Sequence, residues 1–254
     1  MWNSFATDGP VGVRAEITTF PSGGVDIHAY VARPLGDAPR PGLVLVHHVP
    51  GWDEFYQEFA ERLARHGYDV ICPDLYCRAG HGTPDDVAAK VRAEGGVHDD
   101  SVVADCAAAL AWLKALPTHS GKAGILGTCS GGRHALLVAS LTDGLDAVVD
   151  LWGGGVVAAP DAATPARPVA PVEYTSRLQA PLLGLFGNDD QSPTPAQVDK
   201  HEEALRAGGK TYEFHRYDGA GHGFTYYQTA LYRPTQAMDA WNKLFRFFAD
   251  TLQG

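Results

Sequence analysis

The stretch that most constrains this chain is Ala123-Gly-Ile-Leu-Gly-Thr-Cys-Ser-Gly-Gly-Arg133. It opens as a short apolar run, turns through Gly127-Thr128-Cys129-Ser130-Gly131 and continues into the alanine- and leucine-rich run His134–Leu141. This is the pattern of a strand, a sharp turn and a helix, with a cysteine at the apex of a G-x-C-x-G elbow. A side chain presented this way stands on strained backbone at a strand end. The residues two before and two after it must therefore lack bulk, so that strand and helix can approach each other. Gly127 and Gly131 meet that demand. At a helix N-terminus the free N–H groups and the helix dipole also favour the anionic form of a thiol.

An elbow needs a sheet to stand on, and the rest of the chain supplies one. Val13–Phe20 and Val25–Val31 alternate in polarity around Ser22-Gly-Gly and predict an antiparallel hairpin. Gly42–His47, Tyr68–Pro73, Ala123–Leu126, Ala147–Leu151 and Pro181–Phe186 read as strands buried on both faces, and Thr211–Tyr217 as a further strand. Between them lie helical patterns. Asp53 is placed to cap a helix carrying Phe55, Phe59 and Leu63 on one face, ended by His66-Gly67. Pro84–Arg92 predicts a short surface helix. Asp99–Leu116 carries a stripe of Val103, Cys106, Leu110 and Leu113, Thr194–Ala207 follows, and the last helix buries Trp241, Leu244, Phe248 and Leu252. Strands alternating with helices after an opening hairpin predict a single three-layer α/β domain over 1–254, its doubly wound sheet mostly parallel. Prolines at 160, 165, 168 and 171 exclude a core element there, so about 153–180 reads as an ordered loop or lid.

Composition narrows the function. A net charge of −10 with no basic patch argues against nucleic acid as a partner. There is no run of eighteen apolar residues to cross a membrane, and Met1–Asp8 lacks the basic and apolar regions of a secretion signal. Cys72, Cys77, Cys106 and Cys129 show no C-x-x-C spacing and are expected to be free thiols. These features together predict a cytoplasmic protein acting on a small molecule, monomeric or weakly dimeric. His47, His48, His81 and His98 show no metal-ligand spacing, so neither a metal nor any other cofactor is expected.

A nucleophile needs a base, and the base needs a group to orient it. Ligands gather at the carboxyl ends of the strands in such a sheet. Beyond Cys129, Asp189 and Asp190 follow Leu185-Phe-Gly187, and His222 lies in Gly219-Ala-Gly-His-Gly-Phe224. Each falls in a loop at the expected end of its strand, in the order nucleophile, acid, histidine. The residues alone leave open which aspartate serves.

With these motifs in hand, the chain resembles the dienelactone hydrolase family of the α/β-hydrolase superfamily over nearly its full length. The resemblance rests on Cys72-Pro-Asp-Leu-Tyr-Cys-Arg78, Gly127-Thr-Cys-Ser-Gly-Gly132, Gly187-Asn-Asp-Asp190 and Gly221-His-Gly-Phe224. It implies Cys129 as nucleophile, His222 as general base and acid, and Asp190 rather than Asp189 as the orienting group. It implies an oxyanion hole formed by the backbone N–H groups of Val49 and Ser130, and hydrolysis of an ester or lactone through a thioester on Cys129. Thioester hydrolysis or acyl transfer on the same triad, or a ligand-binding protein without turnover, are the alternatives.

Two positions depart from the resembled pattern. His48 stands where the family carries a glutamate, and Tyr226 where it carries an arginine that grips a substrate carboxylate. Arg78, the other carboxylate-binding arginine of that pattern, is present. Trp52, Tyr76, Trp152 and Phe224 lie in or beside the same loops. The expected binding site is therefore aromatic, formed by His48, Trp52, Tyr76, Arg78, Trp152, Phe224 and Tyr226, with a neutral ester or lactone preferred over a carboxylate-bearing one.

Overall fold

Strands β1 (Val13–Ser22) and β2 (Val25–Pro34) form the predicted hairpin, in register from Val13 opposite Pro34 to Ser22 opposite Val25. Gly23 and Gly24 make the two-residue turn with φ of 56° and 78°, a backbone that matches strand twist but penalises any side chain. The computed structural model describes residues 12–254. Met1–Asp8, the stretch on which the secretion-signal reading rests, lies outside the described residues.

The hairpin leads into an eight-stranded sheet. It comprises β3 (Arg40–Val46), β4 (Asp69–Pro73), β5 (His119–Thr128), β6 (Ala147–Leu151), β7 (Leu182–Gly187) and β8 (Tyr212–Tyr217), in the order β1-β2-β4-β3-β5-β6-β7-β8. Strand β2 pairs antiparallel with β4, and the pairs from β4 to β8 are parallel. Every residue of β3, β4, β6 and β7 is buried. Each Leu, Ile or Val enclosed there contributes about 1.5–3 kcal/mol, so the middle of the sheet is a rigid platform.

Helices α1 (Glu54–Arg65) and α6 (Pro234–Phe248) cover one face, while α3 (Asp99–Lys114) and α4 (Ser130–Leu141) pack on the other beside α2 (Pro84–Ala93). Helix α1 is capped by the Asp53 carboxylate, which accepts from the Tyr56 N–H, and it ends at His66 with Gly67 at φ 95°. In α3 the fully enclosed valine is Val102, one turn before Cys106, and Val103 is half-buried. Helix α5 (Pro195–Ala207) starts in a capping box between Thr194 and Gln197. The stripe of α6 continues through a π-helical turn, Ala249–Gln253, which buries Leu252.

Most boundaries shift from the sequence reading by one to three residues, and the largest shift is at β5. Strand β5 begins at His119, four residues early, because His119–Lys122 are polar and at least partly exposed and carry no hydrophobic signal. Between β6 and β7 the chain makes turns and two 3₁₀ helices, Pro160–Ala162 and Pro171–Arg177, each opened by a proline. This segment is tied down where the Asp99 N–H donates to the Ala166 carbonyl at 2.8 Å and the Val172 N–H to Val156 at 3.1 Å.

Candidate active site

The platform ends in the elbow. Cys129 has φ 56° and ψ −125°, a conformation that side-chain-bearing residues rarely adopt and that is sustained only when the surroundings enforce it. Its N–H donates to the Leu151 carbonyl at 3.0 Å, hooking the apex onto β6. A Cβ at Gly131 would lie 2.1 Å from the Val46 carbonyl oxygen, and one at Gly127 would lie 2.3 Å from Gly131 itself. Bare glycine is what lets α4 start this close to β3 and β5. The next turn is braced by Arg133, whose guanidinium makes a buried two-pronged pair with Asp99 at 2.6 and 2.9 Å.

Two neighbouring loops carry the acid and the histidine. The Asn188 N–H donates to Tyr217 and the Asp189 N–H to Ala220, both at 2.9 Å, lacing the loop after β7 to the loop after β8. A side chain on Gly187 would lie 2.2 Å from the Ala220 carbonyl oxygen and forbid that approach. Asp190 is 1% exposed. One of its oxygens accepts from the Ser192 N–H at 2.8 Å, and the other lies 2.9 Å from His222 Nδ1. Asp189 is exposed. With Nδ1 committed to Asp190, Nε2 is the ring nitrogen left for Cys129, which lines the same cavity and whose charge the ring feels. Burial opposes a charge on this ring. The hydrogen bonds and charges of Asp190 and Cys129 outweigh that cost and push its pKa up to about 10. A protonated imidazole is the form that complements a thiolate.

The oxyanion candidates sit on the same cavity wall as Cys129. Ser130 opens α4. Val49 lies on a loop fixed from three sides: His47 Nδ1 donates to the His48 carbonyl at 2.8 Å, the Leu75 N–H donates to His47 Nε2 at 3.0 Å, and the Tyr76 hydroxyl donates to the Val49 carbonyl at 2.9 Å. Neither the Val49 nor the Ser130 N–H donates to another group among the described residues.

The cavity over Cys129 has a volume of about 530 Å³ and is lined by Val49, Ser130, Gly154, Arg167, Asp189, Asp190, Gln191, Ser192, Gly221, His222 and Leu231. The aromatic residues named from the sequence stand behind this wall. Trp152 and Phe224 are fully enclosed, with ring centroids 4.9 Å apart, and Trp152 backs His222 at 6.5 Å. The Tyr226 hydroxyl lies 2.5 Å from Thr128 Oγ1 and 3.0 Å from His48 Nδ1. His48 is itself buried, its Nε2 2.8 Å from Asp53. Trp52 packs edge-on against Tyr30, beside a separate recess that it shares with Tyr76. Arg78 makes a two-pronged pair with Asp105 at 2.5 and 2.9 Å and lines another recess; it does not line the cavity over Cys129.

The cation that does line the cavity is Arg167, from the segment between β6 and β7. No carboxylate among the described residues pairs with its guanidinium, and its Nε is buried without a partner. Burial, then the neighbouring Arg133, pull its pKa down, and it lies near enough to Cys129 to feel charge there. It also lines an adjoining cavity of about 420 Å³ walled by Ala158, Ala159, Ala162, Ala163 and Ala170. Nothing local in the sequence distinguishes it from Arg177, the other arginine of that segment.

Comparison with known proteins bears on the fold and the family. The sequence profile of the dienelactone hydrolase family matches residues 27–252. A Methylorubrum extorquens protein named "Putative carboxymethylenebutenolidase" is 34% identical, over 96% of this chain and 84% of its own. A Bradyrhizobium protein named "Probable 2-oxo-3-(5-oxofuran-2-ylidene)propanoate lactonase" is 29% identical, over 84% of this chain and 85% of its own. The crystal structure titled "Putative Dienelactone Hydrolase" from Klebsiella pneumoniae superposes with a TM-score of 0.86 at 32% identity, over 94% of this chain and 99% of that one. The eight-stranded sheet is accordingly an α/β-hydrolase fold, and the chain belongs to the dienelactone hydrolase family.

Proposed function

We propose that this protein hydrolyses a lactone or ester through a covalent thioester on Cys129, with His222 as general base and acid and Asp190 as the group that orients it. The observation that carries the reading is the linked constellation itself. A cysteine stands on strained backbone at a helix N-terminus beside a histidine that feels its charge and whose Nδ1 is 2.9 Å from a buried aspartate, all opening on one cavity. The names of the Methylorubrum and Bradyrhizobium relatives point to lactone cleavage and support the same reaction class.

The chemistry follows from the geometry. The Cys129 thiol proton passes to His222 Nε2, and the sulfur attacks the acyl carbon. The carbonyl oxygen gains negative charge as the tetrahedral intermediate forms, within reach of the Val49 and Ser130 N–H groups. Each such donor is worth about 3–4 kcal/mol in comparable sites. Collapse breaks the acyl–oxygen bond, and the His222 proton goes to the leaving alkoxide. A water deprotonated by His222 then cleaves the thioester and returns the proton to sulfur. Throughout, Asp190 keeps the ring in the tautomer this sequence requires.

The cavity also argues for a substrate with a negative charge, and so against the neutral ester or lactone expected from the sequence. Its unpaired guanidinium, Arg167, faces the nucleophile's side of the cleft, whereas Tyr226 and Arg78 are occupied elsewhere. The propanoate in the name of the Bradyrhizobium relative is a group of that kind. We therefore assign the carboxylate grip, which the resemblance would have placed at Arg78, to Arg167. The reading is tested with Cys129→Ala, which should abolish turnover of a small lactone while leaving the melting temperature nearly unchanged. Retention of more than about a tenth of kcat would exclude a covalent role for Cys129.

A further inference from the structure

Behind Cys129 runs a second polar constellation that the triad does not use. The Tyr56 hydroxyl lies 2.6 Å from Thr128 Oγ1, which lies 2.5 Å from the Tyr226 hydroxyl. The Tyr226 hydroxyl lies 3.0 Å from His48 Nδ1, and His48 Nε2 lies 2.8 Å from Asp53. Four of the five residues are buried, and Asp53, its side chain 28% exposed, is the one most open to solvent. The chain of contacts thus begins at the surface and ends against Thr128, the residue that precedes the nucleophile.

Its polarity is dictated by chemistry. An Asp53 carboxylate can only accept, so His48 Nε2 carries a hydrogen. In a neutral ring Nδ1 is then an acceptor, which requires Tyr226 to donate to it. The Tyr226 oxygen is left to accept from Thr128, and the Thr128 oxygen to accept from Tyr56. Every donor and acceptor is matched in this one direction. Burial pushes both phenols far above their ordinary range, and negative charge at Cys129 pushes each further, so the hydroxyls stay protonated and are electrostatically coupled to the sulfur. Adding a proton at His48 Nδ1 reverses the three links beyond it, while Nε2 still donates to Asp53. Tyr226 must then donate to Thr128 and Thr128 to Tyr56, so the phenol that points its hydrogen at Thr128 changes from Tyr56 to Tyr226, and the chain that ends beside the elbow gains a full positive charge at His48.

We propose that Asp53, His48, Tyr226, Thr128 and Tyr56 form a relay behind the nucleophile, and that His48 and Tyr226 are positioning residues through which a proton taken from solvent at His48 stabilises the thiolate of Cys129. The inference rests on Cys129 being the nucleophile, but not on which substrate it attacks. No proton leaves the sulfur by this route; the triad histidine handles that proton. By linkage the coupling is reciprocal, so forming the thiolate also raises the affinity of His48 for its proton. The groups facing His48 are Asp53 and Tyr56 from the α1 end, Tyr226 from the loop after β8, and the adjacent His47. His47 already has both ring nitrogens engaged with backbone, so it is no alternative partner.

The test reads the sulfur directly, by iodoacetamide alkylation of Cys129 from about pH 5 to 9, with the other thiols monitored by mass spectrometry. Wild type should show one inflection from the triad and a second from His48. Tyr226→Phe cuts the relay in the middle while keeping its bulk, and should erase the second inflection and slow alkylation at least about threefold at the acid end, equivalent to half a pKa unit. His48→Gln, which fills the same space without titrating, should do the same, whereas Asp53→Asn keeps the helix cap and should shift the inflection. ¹⁵N NMR of the His48 ring should find the hydrogen on Nε2 near pH 8. Superimposable alkylation profiles for wild type and a folded Tyr226→Phe, or a neutral His48 with its hydrogen on Nδ1, would overturn the proposal. A lower melting temperature with an unchanged profile would show the chain to be scaffolding only, and would equally overturn it. If Cys129→Ala retained turnover, the failure would belong to the nucleophile assignment and leave the alkylation result standing by itself.

Discussion

Arg167→Ala is the perturbation that most directly probes what the cavity is built to hold. The guanidinium lines the space over Cys129, has no carboxylate partner among the described residues and carries a buried, unpartnered Nε. It also packs over the bare backbone of Gly96, where a Cβ would lie 2.9 Å from its Nη2. A group in this state has lost part of its hydration without gaining an internal ion pair, so a carboxylate arriving from the substrate would complete it. A charge-assisted hydrogen bond of this kind contributes about 1.5–3 kcal/mol, or about 10- to 150-fold in binding. The same reasoning fixes the sign on stability. Removing a desolvated, unpaired cation should leave the melting temperature unchanged or slightly higher.

The assay compares kcat/KM for a lactone bearing a remote carboxylate and for its methyl ester, in wild type and variant. Wild type should prefer the free acid, and Arg167→Ala should erase that preference by cutting turnover of the acid while sparing the ester. Arg167→Lys should fall between, since an ammonium keeps the charge but loses the planar fork. An acid-to-ester ratio that stays within about twofold of wild type in Arg167→Ala would refute the reasoning. So would an equal fall for both substrates accompanied by a lower melting temperature, which would make Arg167 a structural group.

Three further outcomes follow from the same coordinates. Gly131→Ala places a methyl 2.1 Å from the Val46 carbonyl oxygen and should cost about 3 kcal/mol by chemical denaturation, pulling the elbow apart. Asp150, wholly buried beside Gly153, has its pKa pushed up to about 7 by burial. Its stabilising effect is therefore full below its ordinary range and lost as pH rises through about 7; Asp150→Asn should flatten that part of the stability–pH curve. The His222 pKa is likewise raised, to about 10, so its contribution is full below about 6.5 and lost as pH climbs through about 10; His222→Gln should remove the slope in that window and leave the Asp150 window intact.

Much of the fold was legible because its signals are local. Buried strands read as apolar runs, Gly23-Gly24 as a hairpin turn, Asp53 as a cap, and Gly127 and Gly131 as a steric requirement that the structure puts at about 2 Å. The order of Cys129, Asp190 and His222 along the chain was enough to bring three loops to one end of the sheet, because parallel β/α units all return their strand ends to the same side. The lining of the cavity was not legible in this way. Nearness in sequence to a catalytic loop says nothing about which way a side chain turns, and Trp152, Phe224 and Tyr226 turn inward because large apolar rings lower the free energy most when enclosed. Arg78 was committed to Asp105, fully buried 27 positions away, a partner no local pattern reveals.

The two departures from the family pattern carry a further lesson. Read singly, a histidine in place of an acid and a tyrosine in place of a base look like independent losses. In the structure they are partners, 3.0 Å apart and 178 positions distant in sequence. With His48 neutral the two groups satisfy each other, the Tyr226 hydroxyl donating to Nδ1. His48 then needs an acceptor for its second nitrogen, and the cap residue Asp53 provides it without leaving the helix, one oxygen turned to the Tyr56 N–H and the other to the ring. Tyr226 is committed to Thr128 and His48, and the arginine that lines the cavity, Arg167, comes from a different segment. The two residues thus bear on each other across 178 positions, with the Asp190–His222 contact kept at 2.9 Å.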